Sequence, residues 1–249
     1  MGLFSLHHYY YAVSKRALFI EHDHVMVGGP IWRQFQARGY EIVRFLVVPE
    51  DRYNSPNVPV EFPNPKDFDV IVPMGAPWGA YEDQRIGNWL LPELEFVRTA
   101  HAAGIPIFGI CFGGQLMARA LGGSVARAPQ VELGWYEIET DDESIIPRGP
   151  WFQFHWDRWT LPTEARELAR TNVASQAFTC GRTLGVQFHP EIDPEVLSTW
   201  LTVESSCVDV QSQGHTVNEL MAQTIKEEPY SNKRAADLVD YFLDHIAVA

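Results

Sequence analysis

At 249 residues, the chain can form one sizeable α/β domain with a real core, or two small domains. Hydrophobic residues make up 46% and charged ones 20%, as in ordinary globular proteins, and a net charge of −13 argues against a nucleic-acid surface, which needs clustered Lys and Arg. Three cysteines do not make a disulfide framework and fit a reducing, cytoplasmic setting, and no apolar run reaches membrane-spanning length.

Residues 1–11 are aromatic and His-rich, carry no basic side chain before Lys15 and do not resemble a secretory signal. Leu6 stands where a myristoylation site needs Ser or Thr. Residues 1–16 therefore read as an extension, followed by a single domain over 17–249.

Ala17-Leu18-Phe19-Ile20-Glu21 reads as a first strand, and a turn through Gly28-Gly29-Pro30 leads to a helix over 31–38 that ends at Gly39. A second strand is expected over 40–48, a Pro- and Asn-rich loop over 49–65, and a short third strand at Val70-Ile71-Val72 running into Gly75-Ala76-Pro77. The spacing predicts a helix over 86–103 with Pro92 near its first turn, a fourth strand over 105–110, and a helix over 115–121. Strands alternating with helices imply right-handed crossovers and a mostly parallel sheet, whose ligands bind at the carboxyl ends of the strands.

After Gly123 the rhythm becomes antiparallel, with strands expected over 124–128, 133–139, 152–155, 176–179 and 183–188. Helices return over 194–203, 216–227 and 233–246. One domain with a small antiparallel extension is the economical reading.

Two segments carry chemistry. Gly109-Ile110-Cys111-Phe112-Gly113-Gly114-Gln115 places a thiol at a tight strand-to-helix turn, where the glycines leave room for a substrate carbonyl and the helix start favours an anion. The N–H of Phe112 is a natural oxyanion donor. Alone, the segment fits equally well a small packed cysteine among loop glycines. Gln187-Phe188-His189-Pro190-Glu191 adds an imidazole and a carboxylate two positions apart, which an extended proline-flanked backbone can present on one side. Alone, His-Pro-Glu could cap the helix that follows. Together, each after a strand, the two segments supply a nucleophile, a base and an orienting acid.

Both segments resemble the signatures of class I glutamine amidotransferases, the triad-type glutaminases, and the similarity covers about 17–201. Within that family the chain is most similar to stand-alone GMP synthase-like members. His22, Glu132-Leu133-Gly134-Trp135 and Phe154-His155-Trp156-Asp157 followed by Leu161-Pro162 add to the likeness. The resemblance implies a flavodoxin-like fold, a mostly parallel central sheet flanked by helices with a small antiparallel extension. It implies that Cys111 attacks the glutamine carboxamide to form a γ-glutamyl thioester, with His189 as acid and base and Glu191 orienting it. Backbone N–H groups of Phe112 and of the Gly75-Ala76 turn would bind the oxyanion, Gln115 would contact substrate, and Gly134, Trp135 and His155 would line the site. Two departures stand out: Ala76 replaces the usual second glycine of a Gly-Gly-Pro turn, and Gly114 stands where many biosynthetic members carry His.

No cofactor is implied, and the chain carries no P-loop with which to activate an acceptor. A separate synthase subunit receiving ammonia is one expected partner, simple hydrolysis another outcome. The same triad would serve a γ-glutamyl hydrolase or peptidase acting on larger γ-glutamyl amides, and a non-catalytic regulatory or binding subunit is a third reading. Glu21-His22-Asp23-His24 has metal-ligand residue types, but alternate strand positions face opposite ways, so His22 reads as a pocket-edge residue and no metal site is expected. Cys180 and Cys207 read as packed or inert, and Trp151, Trp156 and Trp159 as core or as a ligand wall.

Overall fold

The computed structural model describes residues 15–248. The extension expected over 1–16 lies outside that span except for Lys15 and Arg16, which pair with Tyr40 and Glu41 as the start of the first strand. In chain order the elements begin β1 (Lys15–Glu21), α1 (Gly29–Ala37), β2 (Tyr40–Leu46), β3 (Val70–Pro73), α2 (Asp83–Ala102), β4 (Ile107–Ile110) and α3 (Phe112–Ala120). There follow β5 (Ser124–Glu137), β6 (Glu139–Thr140), β7 (Pro150–Thr160), β8 (Arg166–Arg170), β9 (Ser175–Cys180), β10 (Thr183–Val186), α4 (Pro194–Trp200), α5 (Glu204–Ser212) and α6 (Val217–Tyr241).

Eight strands form one sheet in the order β2-β1-β3-β4-β10-β9-β8-β6, parallel from β2 to β10 and antiparallel beyond. A two-stranded antiparallel ribbon of β5 and β7 stands apart. The alternation of β1 shows how the sheet is covered. Ala17 and Phe19 pack with Ile31 and Phe35 of α1 and Leu238 of α6, whereas Leu18 and Ile20 pack with Trp89 of α2 and Leu116 of α3. A strand buried on both faces is apolar throughout, which is why these segments read as unbroken hydrophobic runs.

Several elements differ from expectation. α2 begins at Asp83, so Pro92 lies in its middle rather than in its first turn. The helices expected over 216–227 and 233–246 are one helix: α6 runs through Pro229, opened by a capping box between Thr216 and Glu219. An interior proline costs about 3 kcal/mol locally, and packing on both sides of it holds the helix together. Leu220 and Thr224 are buried in the first half, Asp240 accepts from Gln34 and Arg38 in the second, and Phe108 stacks on Phe242 just beyond. The strands expected over 124–128 and 133–139 are largely one strand, β5, with a register shift between Arg127 and Glu132. β8 and α5 were not anticipated; α5 buries only Val210 and offers no apolar stripe. Among the described residues no helix is long and apolar enough to cross a membrane.

The parallel arrangement brings the carboxyl ends of β1, β3, β4 and β10 to one edge. His22, the Gly75-Ala76 turn, Cys111 and His189 all emerge there, from four different strands.

Candidate active site

Cys111 is the hinge between β4 and α3, and among the described residues it is the only non-glycine with positive φ, at 51°. An L-residue held there costs on the order of 1–3 kcal/mol. Hydrogen bonds on both sides hold it: Cys111 N–H donates to Val186 O at 2.7 Å, and Gly113 N–H to Met74 O at 3.0 Å. Only glycine fits at 113, because a Cβ would sit 1.9 Å from Pro73 O. Between these two donors, Phe112 N–H has no backbone acceptor among the described residues. It belongs to the first turn of α3, where free N–H groups and the helix dipole favour negative charge.

His189 leaves β10 two residues past its end and is fixed by its own N–H donating to Phe152 O at 2.8 Å. Its Nδ1–H donates to Glu191 Oε1 at 2.8 Å, and both side chains are buried. Trp200 packs edge-on against the ring, with centroids 4.9 Å apart. Burial works against a charged imidazole here, but the charges of Glu191 and Cys111 and the hydrogen bonds outweigh it and raise the His189 pKa to about 10. Nε2 makes no hydrogen bond of regular geometry, yet the sulfur is near enough to count among the causes of that rise. A resting site whose thiol contact is still loose has this geometry, and such contacts tighten on substrate binding. The backbone of Glu191 is held from below by α1, since a Cβ on Gly29 would lie 2.2 Å from Glu191 O.

Two neighbouring hollows meet at Cys111. The larger, about 320 Å³, is lined by charged side chains: Arg85 and Arg127, with Glu82, Asp157 and Asp209. The smaller, about 70 Å³, contains His189 and is walled by Val25, Met26, Trp200 and Val203. Asp157 accepts from Tyr81 Oη at 3.1 Å, and burial pushes its carboxyl pKa up despite that bond and Arg127.

The structure brings Cys111, His189 and Glu191 together, with Phe112, Ala76, Gln115 and His155 around the same cleft and Gly75 bordering the smaller hollow. Gln115 reaches the sulfur indirectly: its Nε2–H donates to Gln187 Oε1 at 3.2 Å, and Gln187 Nε2 lies 3.6 Å from Cys111 Sγ. His155 is buried against Glu132, Nε2 to Oε2 at 3.0 Å. Gly134 and Trp135 stand elsewhere. Gly134 lies beneath Leu220 and His215, and Trp135 Nε1–H donates to Thr224 on α6 at 3.1 Å, so this pair supports the ribbon rather than lining the cleft. His22 is not at the pocket edge but fully buried below it. Trp151 and Trp159 are core residues, and only Trp156 of the three reaches the cleft. Gln187 carries a site contact that its residue type did not announce, although it lies two positions before His189 on extended backbone and so on the same side. α5 brings Ser205, Ser206 and Asp209 to the cleft without any sequence signal.

A thiol, an imidazole held by a carboxylate, and two unpaired amides beside them can carry out nucleophilic acyl transfer. The class-I glutamine amidotransferase family profile matches residues 59–202. A glutamine-hydrolyzing GMP synthase of Aeropyrum pernix is 34% identical over 166 residues, covering 61% of this chain and 30% of that one. A glutamine-hydrolyzing GMP synthase of Sulfurisphaera tokodaii is built from separate subunits, and one of them is 35% identical over 150 residues, or 55% of this chain and 74% of that one. Among solved structures, a glutamine amidotransferase from Thermotoga maritima superposes with a TM-score of 0.79 at 24% identity, covering 93% of this chain and 99% of that one. One from Methylobacillus flagellatus gives 0.75 at 21% identity, covering 94% and 96%. These last two likenesses speak to the fold, a mixed sheet flanked by helices.

Proposed function

Because the chain belongs to the class I glutamine amidotransferase family, we propose that it hydrolyses the side-chain amide of glutamine through Cys111 and releases ammonia. The observation that carries this reading is the strained Cys111 elbow facing an imidazole already anchored by Glu191. Cys111 Sγ adds to the carboxamide carbon, and the oxyanion is received by Phe112 N–H and Ala76 N–H. Ala76 serves in place of glycine because it does not need positive φ in this turn. His189 gives its proton to the departing nitrogen, and the C–N bond breaks to leave a γ-glutamyl thioester and ammonia. His189 then takes a proton from water, which attacks the thioester and frees glutamate and the thiol. Glu191 holds the imidazole in the tautomer that turns Nε2 to the sulfur.

The large hollow suits the amino-acid head of the substrate, with Arg127 and Arg85 for the carboxylate and Asp157, Glu82 and Asp209 for the ammonium. Gln115 and Gln187 position the amide near the sulfur. The hollow on the His189 side is small and apolar, which favours ammonia as leaving group over the bulky amine of a γ-glutamyl peptide. The chain spans 30% of the Aeropyrum relative but 74% of the Sulfurisphaera one, which is a synthase subunit in its own right. A separate synthase subunit is accordingly the proposed recipient of the ammonia, in a reducing compartment such as the cytoplasm that keeps the thiol free.

The test is release of glutamate and ammonia from glutamine by the purified protein and by its Cys111→Ala variant. The expected loss is at least about a thousandfold in turnover, on the scale of triad deletions. Equal activity in both proteins would reject the nucleophile assignment.

A further inference from the structure

Below the cleft lies an imidazole–carboxylate pair that has no part in the steps above. His22 follows the last residue of β1 and Glu93 projects from α2, and neither side chain is exposed. His22 Nε2 is 3.0 Å and 3.2 Å from the two Glu93 oxygens, and Nδ1 is 3.0 Å from Gly75 O. Both ring nitrogens therefore face acceptors. A carbonyl only accepts, so Nδ1 carries a proton, and the contact with Glu93 is satisfied by a second proton shared between the two side chains. Burial by itself disfavours the charged ring, but Glu93 and the hydrogen bonds to it and to Gly75 outweigh that and raise the His22 pKa.

The Gly75–Ala76 peptide is trans, as are all peptide bonds among the described residues. In a trans peptide the carbonyl and the following N–H point in opposite directions. Fixing Gly75 O downward on His22 thus turns Ala76 N–H upward, toward the cleft that Ala76 lines together with Cys111. Ala76 N–H has no hydrogen-bond acceptor among the described residues. The same ring packs edge-on against Phe112, centroids 4.6 Å apart, and lies 5.5 Å from Trp89. One side chain therefore touches both residues whose amides are assigned to the oxyanion.

We propose that His22, held by Glu93, is a positioning residue that aims the Ala76 amide and steadies Phe112 for the oxyanion formed during acyl transfer. The proposal rests on the glutaminase reading above. It requires the pair to act on steps that build an oxyanion and to be silent in reactions of the thiol that build none.

The test compares glutamine turnover with alkylation of Cys111 by iodoacetamide, a displacement at carbon that needs the sulfur but no oxyanion donor. In the His22→Phe/Glu93→Leu double variant both partners become apolar, a change that buried ion pairs commonly tolerate. Its kcat for glutamine is expected to fall about 100-fold, on the scale of losing one oxyanion donor, with KM within about threefold and the Cys111 alkylation rate within about twofold of the parent. The Glu93→Gln variant keeps an Nδ1–H for Gly75 and is expected to retain kcat within about fivefold. A double variant with parental kcat, or one whose alkylation slows in step with kcat, overturns the proposal, as does a Glu93→Gln protein as damaged as the double variant. A parent that releases no glutamate from glutamine removes the underlying glutaminase reading and the proposal with it. A parent that is active beside an unaffected double variant removes only the role of the pair.

Discussion

Replacing Gly113 by alanine perturbs the site without touching any reacting group. The added Cβ would stand 1.9 Å from Pro73 O and 2.6 Å from Pro73 C, both backbone atoms at the end of β3. Ordinary contact between such atoms needs more than about 3 Å, so the start of α3 must retreat from β3 by roughly 1 Å or more. That movement lengthens the bond from Gly113 N–H to Met74 O, now 3.0 Å. It also draws Cys111 and Phe112 away from the turn that carries Ala76. Overpacking of this kind costs about 1–3 kcal/mol of stability, and a misplacement near 1 Å costs about 100-fold in rate. Steady-state hydrolysis of glutamine should show a kcat loss of about that size, and urea unfolding a lower midpoint with unchanged slope. A Gly113→Ala protein with parental kcat would refute the claim that the contact between β3 and α3 sets the geometry of the elbow.

Arg127 is largely exposed and lies 3.9 Å from Asp157, so its role as a carboxylate contact can be probed with little structural cost. The Arg127→Ala variant should raise KM for glutamine about 10- to 100-fold, the scale of one charge-assisted bond, with kcat nearly unchanged; unchanged KM would move the amino-acid head elsewhere. The pKa of His189 in the fold, about 10, lies above its ordinary 6.5, so the folded state holds that proton more tightly than the unfolded chain does. Its stabilising contribution is complete below pH 6.5 and is lost as pH rises through 10. Urea midpoints should therefore fall between about pH 7 and 10 in the parent and fall less in a His189→Gln variant, and parallel curves would contradict the assigned proton.

The legible part of the site was the part in which each reactive residue closes an apolar strand. Cys111 after β4 and His189 after β10 needed only the rule that parallel strands deliver their carboxyl ends to one edge. Other residues depend on pairings that no local pattern reveals. Glu132 meets His155 across the ribbon only because β5 slips register after Arg127. Gly134 and Trp135 were misplaced for the same reason: the bulged strand turns them under α6 instead of into the cleft. α5 was invisible because a mostly polar nine-residue helix with one buried side chain has no hydrophobic period to detect. Pro229 hid the continuity of α6, whose cohesion comes from tertiary contacts with Gln34, Arg38 and Phe108.

The amide of Cys111 is bonded to Val186, the last residue of β10, in a ladder that also sets Gly185 opposite Gly109. Sulfur and imidazole are thereby mounted on adjoining rails of one frame rather than on separate supports. Loosening at the far antiparallel margin, around β6 and β8, would leave their spacing intact, so activity on warming should persist until the central strands themselves come apart.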